Sequence, residues 1–244
     1  MINNLPPITK NLLIINVLCL FGAVVAQRRG IELDSILGLH FFLASDFKPY
    51  QLFTYMFMHA NLEHIFFNMF AVWMFGRTLE MVFGSKRFLT YYLVCGIGAG
   101  IVQELVQGIE YYTLVSSMPV EAVNVVFQEG ADLLKSHMNF ADKSLASLNN
   151  VVNLPCVGAS GAVYGILLAF GMLFPNSQMF VFPLPFPIKA KFFVIGYAVI
   201  ELFLGLGKTG DGVAHFAHLG GMIFGFLLIM YWRKKSKNNG QFHY

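Results

Sequence analysis

Charge is scarce in this sequence. Asp, Glu, Lys and Arg together make up 12% of its 244 residues, about half of the roughly 25% usual in a soluble globular domain. With 57% hydrophobic residues and a mean hydropathy of +0.63, that deficit excludes an ordinary water-soluble fold. Cysteine is scarce as well. Cys19, Cys95 and Cys156 are odd in number, scattered and set in apolar surroundings, which excludes a disulfide scaffold. Cys156 precedes Ser160 closely, but a buried cysteine usually behaves as a small hydrophobe. The basic residues, 16 against 13 acidic ones, form no stripe with aromatics between them, so no nucleic-acid footprint is present. HExxH and HxxEH are both missing. His59 and His64 are five apart, about 140° around a helix. His215 and His218 could ligate a metal, but no acidic third ligand lies near them in sequence. No metal and no cofactor is expected on these grounds.

What the chain does have is apolar runs of one length. They fall at about 10–27, 60–83, 88–107, 158–174, 190–207 and 212–232, and about 20 apolar residues cross a bilayer as a helix. The expected fold is therefore an all-α membrane protein, a six-helix bundle forming one membrane domain over 1–244, with no soluble domain. Lys10, Arg77, Lys86, Arg87, Lys189, Lys191 and the four basic residues of the tail fall on one side of such a bundle. The positive-inside rule then makes both ends cytoplasmic, in an integral multi-pass protein of a bacterial cytoplasmic membrane. The first run also fits a signal peptide, with Lys10 ahead of it and Val24 and Ala26 before a cut, but removing it would put the basic tail 233–244 on the wrong side.

Two connections are long. Residues 28–59 are too apolar and aromatic for a solvated loop and are expected in the membrane interface. Residues 108–156 form an insertion between the third and fourth helices. Within it Val123, Val126, Phe127, Leu133 and Leu134 recur at helical spacing, so an amphipathic helix is expected after Pro119. A gate and a passive insertion are both open for it. The glycine-rich LGLGKTGDG at 204–212 is a candidate moving cap, with Asp211 as the N-cap of the last helix.

Polar groups inside the runs carry the chemistry, since each is costly in lipid, on the order of 2.5–3.5 kcal/mol for a charge at a helix centre. His64 and Asn68 are four apart and share a face of the second helix. Ser160 begins the fourth and His218 lies early in the sixth. Even-numbered helices run in one direction, so all four groups sit at a similar depth, roughly 6–12 Å inside the helix starts for the second and sixth. Gly161 and Gly165, and Gly221 and Gly225, are GxxxG pairs that let the fourth and sixth backbones approach. A serine becomes a nucleophile when a base takes its proton. His218 is that base, and Tyr164, one turn after Ser160, presents its ring to it; no carboxylate is the obvious orienting group. His64, Asn68 and the Ser160 backbone N–H are candidate oxyanion donors.

These residues resemble the rhomboid family of intramembrane serine proteases. GASG at 158–161 matches its GxSG, AHFAHLGG at 214–221 resembles its AHxxG-type motif, and HIFFN at 64–68 matches its HxxxN. FKPYQLFTYMFMH resembles its interfacial first loop. The resemblance covers nearly the whole chain. It implies a Ser160–His218 dyad cutting transmembrane protein substrates in the lipid bilayer near their outer ends, with His64 and Asn68 at the oxyanion and Tyr164 packing on the base. Gly158 and Gly161 are supporting positions, and His59 and His215 are structural. A non-proteolytic rhomboid-like binding or quality-control protein is the alternative, though such a protein would be expected to lack the nucleophile or the base. A transporter would place its polar cluster at the midplane.

Overall fold

The computed structural model describes residues 5–181, 185–207 and 213–238. It is an all-α bundle. Helix α1 is Pro7–Gln27, α2 runs continuously over Leu62–Phe83 with a π-helical turn at Val72–Gly76, and α3 is Ser85–Val115. Helices α4 (Val120–Lys135) and α5 (Lys143–Asn153) lie in the insertion. Then come α6 (Ser160–Leu173), α7 (Ala190–Gly207) and α8 (His215–Asn238). A two-residue antiparallel ladder pairs Gln178–Met179 with Ile188–Lys189 between α6 and α7.

Helices α1, α2, α3, α7 and α8 are long and apolar enough to cross a membrane, whereas α6 has only 14 residues. The run expected at 158–174 starts late because Gly158 has φ +133°, outside the helical region. Its shortness has a structural counterpart: Gly161, Ala162, Val163, Gly165, Ile166, Leu167, Ala169 and Gly171 are all buried. Enclosed by other helices, α6 meets protein at its ends, and backbone enclosed in that way is tolerated at membrane depth.

Helix α8 packs mainly on α3 and α6, and α3 packs on α6. Glycine makes this possible at one crossing. A Cβ on Gly221 would overlap the Gly161 carbonyl, and one on Gly161 would overlap Ala99 of α3. Gly225 behaves differently from its expected pairing and meets Tyr91 and Cys95 of α3. The apolar centre includes Tyr55, Met56, Leu79, Phe88, Tyr92 and Ile166, all at most 2% exposed.

The long connections differ from expectation in detail. Helix α3 continues eight residues past 107, and in that extension Tyr111, Leu114 and Val115 pack against a second apolar cluster of Phe41, Val126, Leu148 and Val152. The insertion holds two helices rather than one. The second, α5, is capped by Asp142, whose Oδ1 accepts from the Ser144 and Leu145 N–H groups at 2.9 Å, an N-cap readable in sequence. Residues 28–59 fold back against the bundle through the short helices Leu33–Leu37 and Gln51–Thr54. Phe41 of this loop is fully buried among Val126, Leu148 and Val152 of the insertion. Of the expected cap, 204–207 is the end of α7; residues 208–212, Asp211 among them, lie outside the described residues.

Candidate active site

The site is built where three helices begin and one approaches its end. The strand-like segment ahead of α6 is pinned first. Leu39 and Cys156 exchange two backbone hydrogen bonds, at 2.9 and 2.8 Å, and the Gly158 N–H donates to the Tyr55 carbonyl at 2.9 Å. These bonds hold Gly158 in its left-handed-side backbone, and a Cβ there would lie 2.8 Å from His64 Nε2 and 3.6 Å from Ser160 Oγ. Only glycine leaves room for the imidazole at this φ. Ser160 is then the first residue of α6, so its own N–H is among the four that a helix start leaves without an intrahelical acceptor.

His218, 8% exposed, is the fourth residue of α8. Its Nε2 is 2.8 Å from Ser160 Oγ. The Tyr164 ring stacks on the imidazole with centroids 4.2 Å apart and planes 6° apart. On α2, His64 is oriented by the N-cap: its N–H donates to Asn61 Oδ1 at 2.7 Å. Asn68 is buried, and its Nδ2 has no hydrogen-bond partner among the described residues. A buried donor without an acceptor is rare in folded proteins. The structure thus brings together Ser160, His218 and Tyr164, sets His64 beside Gly158, and packs Gly161 into the crossing that keeps α6 against α8.

Two neighbours stay outside this chemistry. His59 is buried and meets His64 edge to face at 5.2 Å. Burial, then the neighbouring His64, hold its pKa down at about 4, so it is neutral at physiological pH. Burial, reinforced by Glu104, pushes the Cys156 thiol up to about 12. A thiol so rarely ionised is a poor nucleophile.

Glu201 was not singled out from the sequence, and a carboxylate does orient toward the base. It lies on α7 and is 6% exposed. Its Oε2 is 2.7 Å from His215 Nδ1 and 3.0 Å from His218 Nδ1, and Tyr164 Oη donates to its Oε1. The signal was present as a lone glutamate in AVIELFLG, an ionisable group that must find a partner in an apolar helix. Helix α7 runs opposite to α6 and α8, so a residue late in α7 reaches the depth of residues early in the other two. The expectation that no acidic ligand accompanies the two histidines is corrected by the same residue, since Glu201, His215 and His218 offer ligand atoms within 4.8 Å of one another. The 2.7 Å separation is that of a hydrogen bond; two ligands of one tetrahedral zinc, with bonds of ~2.0–2.1 Å, stand ~3.3 Å apart.

Comparison with known proteins gives a consistent picture. Residues 46–235 match the family described as Rhomboid domain. The chain is 26% identical to an uncharacterized mitochondrial rhomboid protein of Schizosaccharomyces pombe, over 90% of this chain and 64% of that one. It is 25% identical to the rhomboid protease GluP of Bacillus subtilis, over 72% of this chain and 25% of that one. It is 30% identical to the rhomboid protease GlpG of Haemophilus influenzae, over 43% of this chain and 55% of that one. The chain spans less than two thirds of the length of each of these relatives. They include a mitochondrial protein as well as bacterial ones, so the integral membrane placement stands while the bacterial cytoplasmic membrane expected from the sequence gains no support.

Proposed function

This chain belongs to the rhomboid family, and on that premise we propose that it is an intramembrane serine endopeptidase acting on transmembrane protein substrates. The observation that carries the reading is the 2.8 Å approach of Ser160 Oγ to His218 Nε2 between two helices of a membrane bundle. In this reading Ser160 Oγ attacks the scissile carbonyl carbon while His218 Nε2 takes its proton. The tetrahedral oxyanion is met by Asn68 Nδ2, the His64 ring and the Ser160 N–H. Collapse breaks the C–N bond as His218 returns the proton to the leaving amine. Water, deprotonated by the same imidazole, then hydrolyses the acyl-enzyme.

Each oxyanion donor is worth about 2.7–4 kcal/mol in such a transition state. The lone Asn68 Nδ2 suits that part, being already desolvated and without a competing acceptor. A substrate helix buries its own carbonyls, so segments that unwind near small or helix-breaking residues are the substrates expected. The supporting positions, Gly158, Gly161 and Tyr164, shape the pocket and hold the base.

The test is cleavage of a single-span reporter in detergent by the wild-type protein, Ser160→Ala and His218→Ala, each with and without chelator. Both variants are expected to lose activity by at least ~10³-fold, with no effect of chelator. Activity surviving in either variant overturns the mechanism. Loss with chelator alone moves the reading to metal chemistry at Glu201, His215 and His218. Binding of the span without cleavage by the wild-type protein moves it to a non-proteolytic member of the family.

A further inference from the structure

A serine–histidine pair is sufficient for the reading above, and nothing in it needs a carboxylate. Yet Glu201 sits 6% exposed within a membrane helix, where an uncompensated charge is costly. Among the described residues, three side-chain atoms able to donate lie against it. Tyr164 Oη–H goes to Oε1, His215 Nδ1 is 2.7 Å from Oε2, and His218 Nδ1 is 3.0 Å from the same oxygen. An acceptor-only carboxylate matches this set; a protonated acid would present a hydrogen to one of them.

Resting on the proposed serine-protease function, we propose that Glu201 is a positioning residue for His218, holding it by its edge and by its face, with His215 locking the carboxylate in place. At the edge, Oε2 can only accept, so His218 carries its proton on Nδ1 and turns a bare Nε2 toward Ser160 Oγ. The opposite tautomer would point an N–H at the nucleophile and disable the base. When Nε2 takes the serine proton, the carboxylate faces the resulting imidazolium. At the face, the Glu201–Tyr164 hydrogen bond sets the phenol ring that stacks on His218 at 4.2 Å. One carboxylate thereby ties α6, α7 and α8 at the depth of the nucleophile.

The His218 Nδ1–Oε2 contact has hydrogen-bond length without hydrogen-bond alignment, and Nδ1 finds no other partner among the described residues. Such contacts often tighten only when substrate is bound. A helix-to-helix tie without catalytic consequence would need Tyr164 and His215 alone. The third contact, that of His218 itself, is what assigns the role.

Among the described residues, the titratable groups facing His218 are His64 from α2, Tyr164 from α6, Glu201 from α7 and His215 on its own helix, with Tyr197 of α7 behind Tyr164. Among the described residues, Glu201 is the carboxylate within reach of His218 Nδ1. Glu201→Gln is expected to lower kcat by ~10²-fold with KM within about twofold, since the residue does not touch substrate. It should also slow fluorophosphonate labelling of Ser160 in step with kcat. Glu201→Asp, which keeps the charge but withdraws it, should recover part of the rate and of the labelling; it also serves if the Gln variant fails to fold. A wild-type rate in Glu201→Gln, a loss carried by KM rather than kcat, or no recovery in Glu201→Asp overturns the proposal. These outcomes are separable from failure of the underlying reading, in which wild-type Ser160 takes no label and Ser160→Ala still cleaves.

Discussion

A residue with no side chain shapes the proposed site alongside Ser160 and His218. Gly158 has φ +133°, and a Cβ would strike the His64 ring. Gly158→Ala therefore strains the backbone and displaces either His64 or the start of α6. A shift of about 1 Å in a reacting group costs on the order of 10²-fold in rate, so kcat for reporter cleavage should fall by about that factor while the melting temperature changes little. Equal losses of fold and activity would count against a positional role. The GxSG pattern made this glycine visible in sequence, and its reason became visible only with His64 beside it. Glu201 is the converse case. Its residue type in an apolar run was legible, and its partners were not.

Among the elements, α1 depends most on a single distant side chain. It begins Pro6-Pro7 with no side-chain cap of its own. Its first turn is capped instead by Glu80 of α2, which accepts from the Ile8 N–H at 3.0 Å, the Thr9 N–H at 2.7 Å and Thr9 Oγ1 at 2.8 Å. Ser85 Oγ donates to the same carboxylate at 2.6 Å, joining the turn into α3. Glu80→Ala leaves buried donors unsatisfied, at about 1–3 kcal/mol each, and the bundle should melt several degrees lower in detergent, with Glu80→Gln intermediate. No change in melting temperature would show that solvent or lipid satisfies that turn. The long helices were legible from apolar length, and α5 and the extension of α3 were not, because their few apolar residues find a partner only in Phe41 and Val126 from other parts of the chain.

Across the whole molecule, the first connection and the insertion form one unit on the side of α3. Phe41 is the joint, fully buried with Val126, Leu148 and Val152. Phe41→Ala opens a cavity of the kind that costs about 3–5 kcal/mol. Hydrogen exchange should then rise in Val120–Lys135 and Lys143–Asn153 and stay unchanged in the core of α3 and α8. A uniform rise would mean that the insertion is not a separable layer. The same loop reaches the site through the Leu39–Cys156 bridge, so a modest fall in activity is expected alongside.

Hydrophobic run lengths, and the placing of Ser160, His218, His64 and Asn68 early in their helices, were determined by the sequence, because a bilayer constrains composition by length. The approach of Glu201 to His218, His215 and Tyr164 was decided by tertiary structure alone. A period of 3.6 residues says which side chains share a face of one helix, but the rotation of each helix about its axis follows from how side chains and glycine contacts pack between neighbours. That packing turns the glutamate of an outer helix inward, to the far nitrogen of the base.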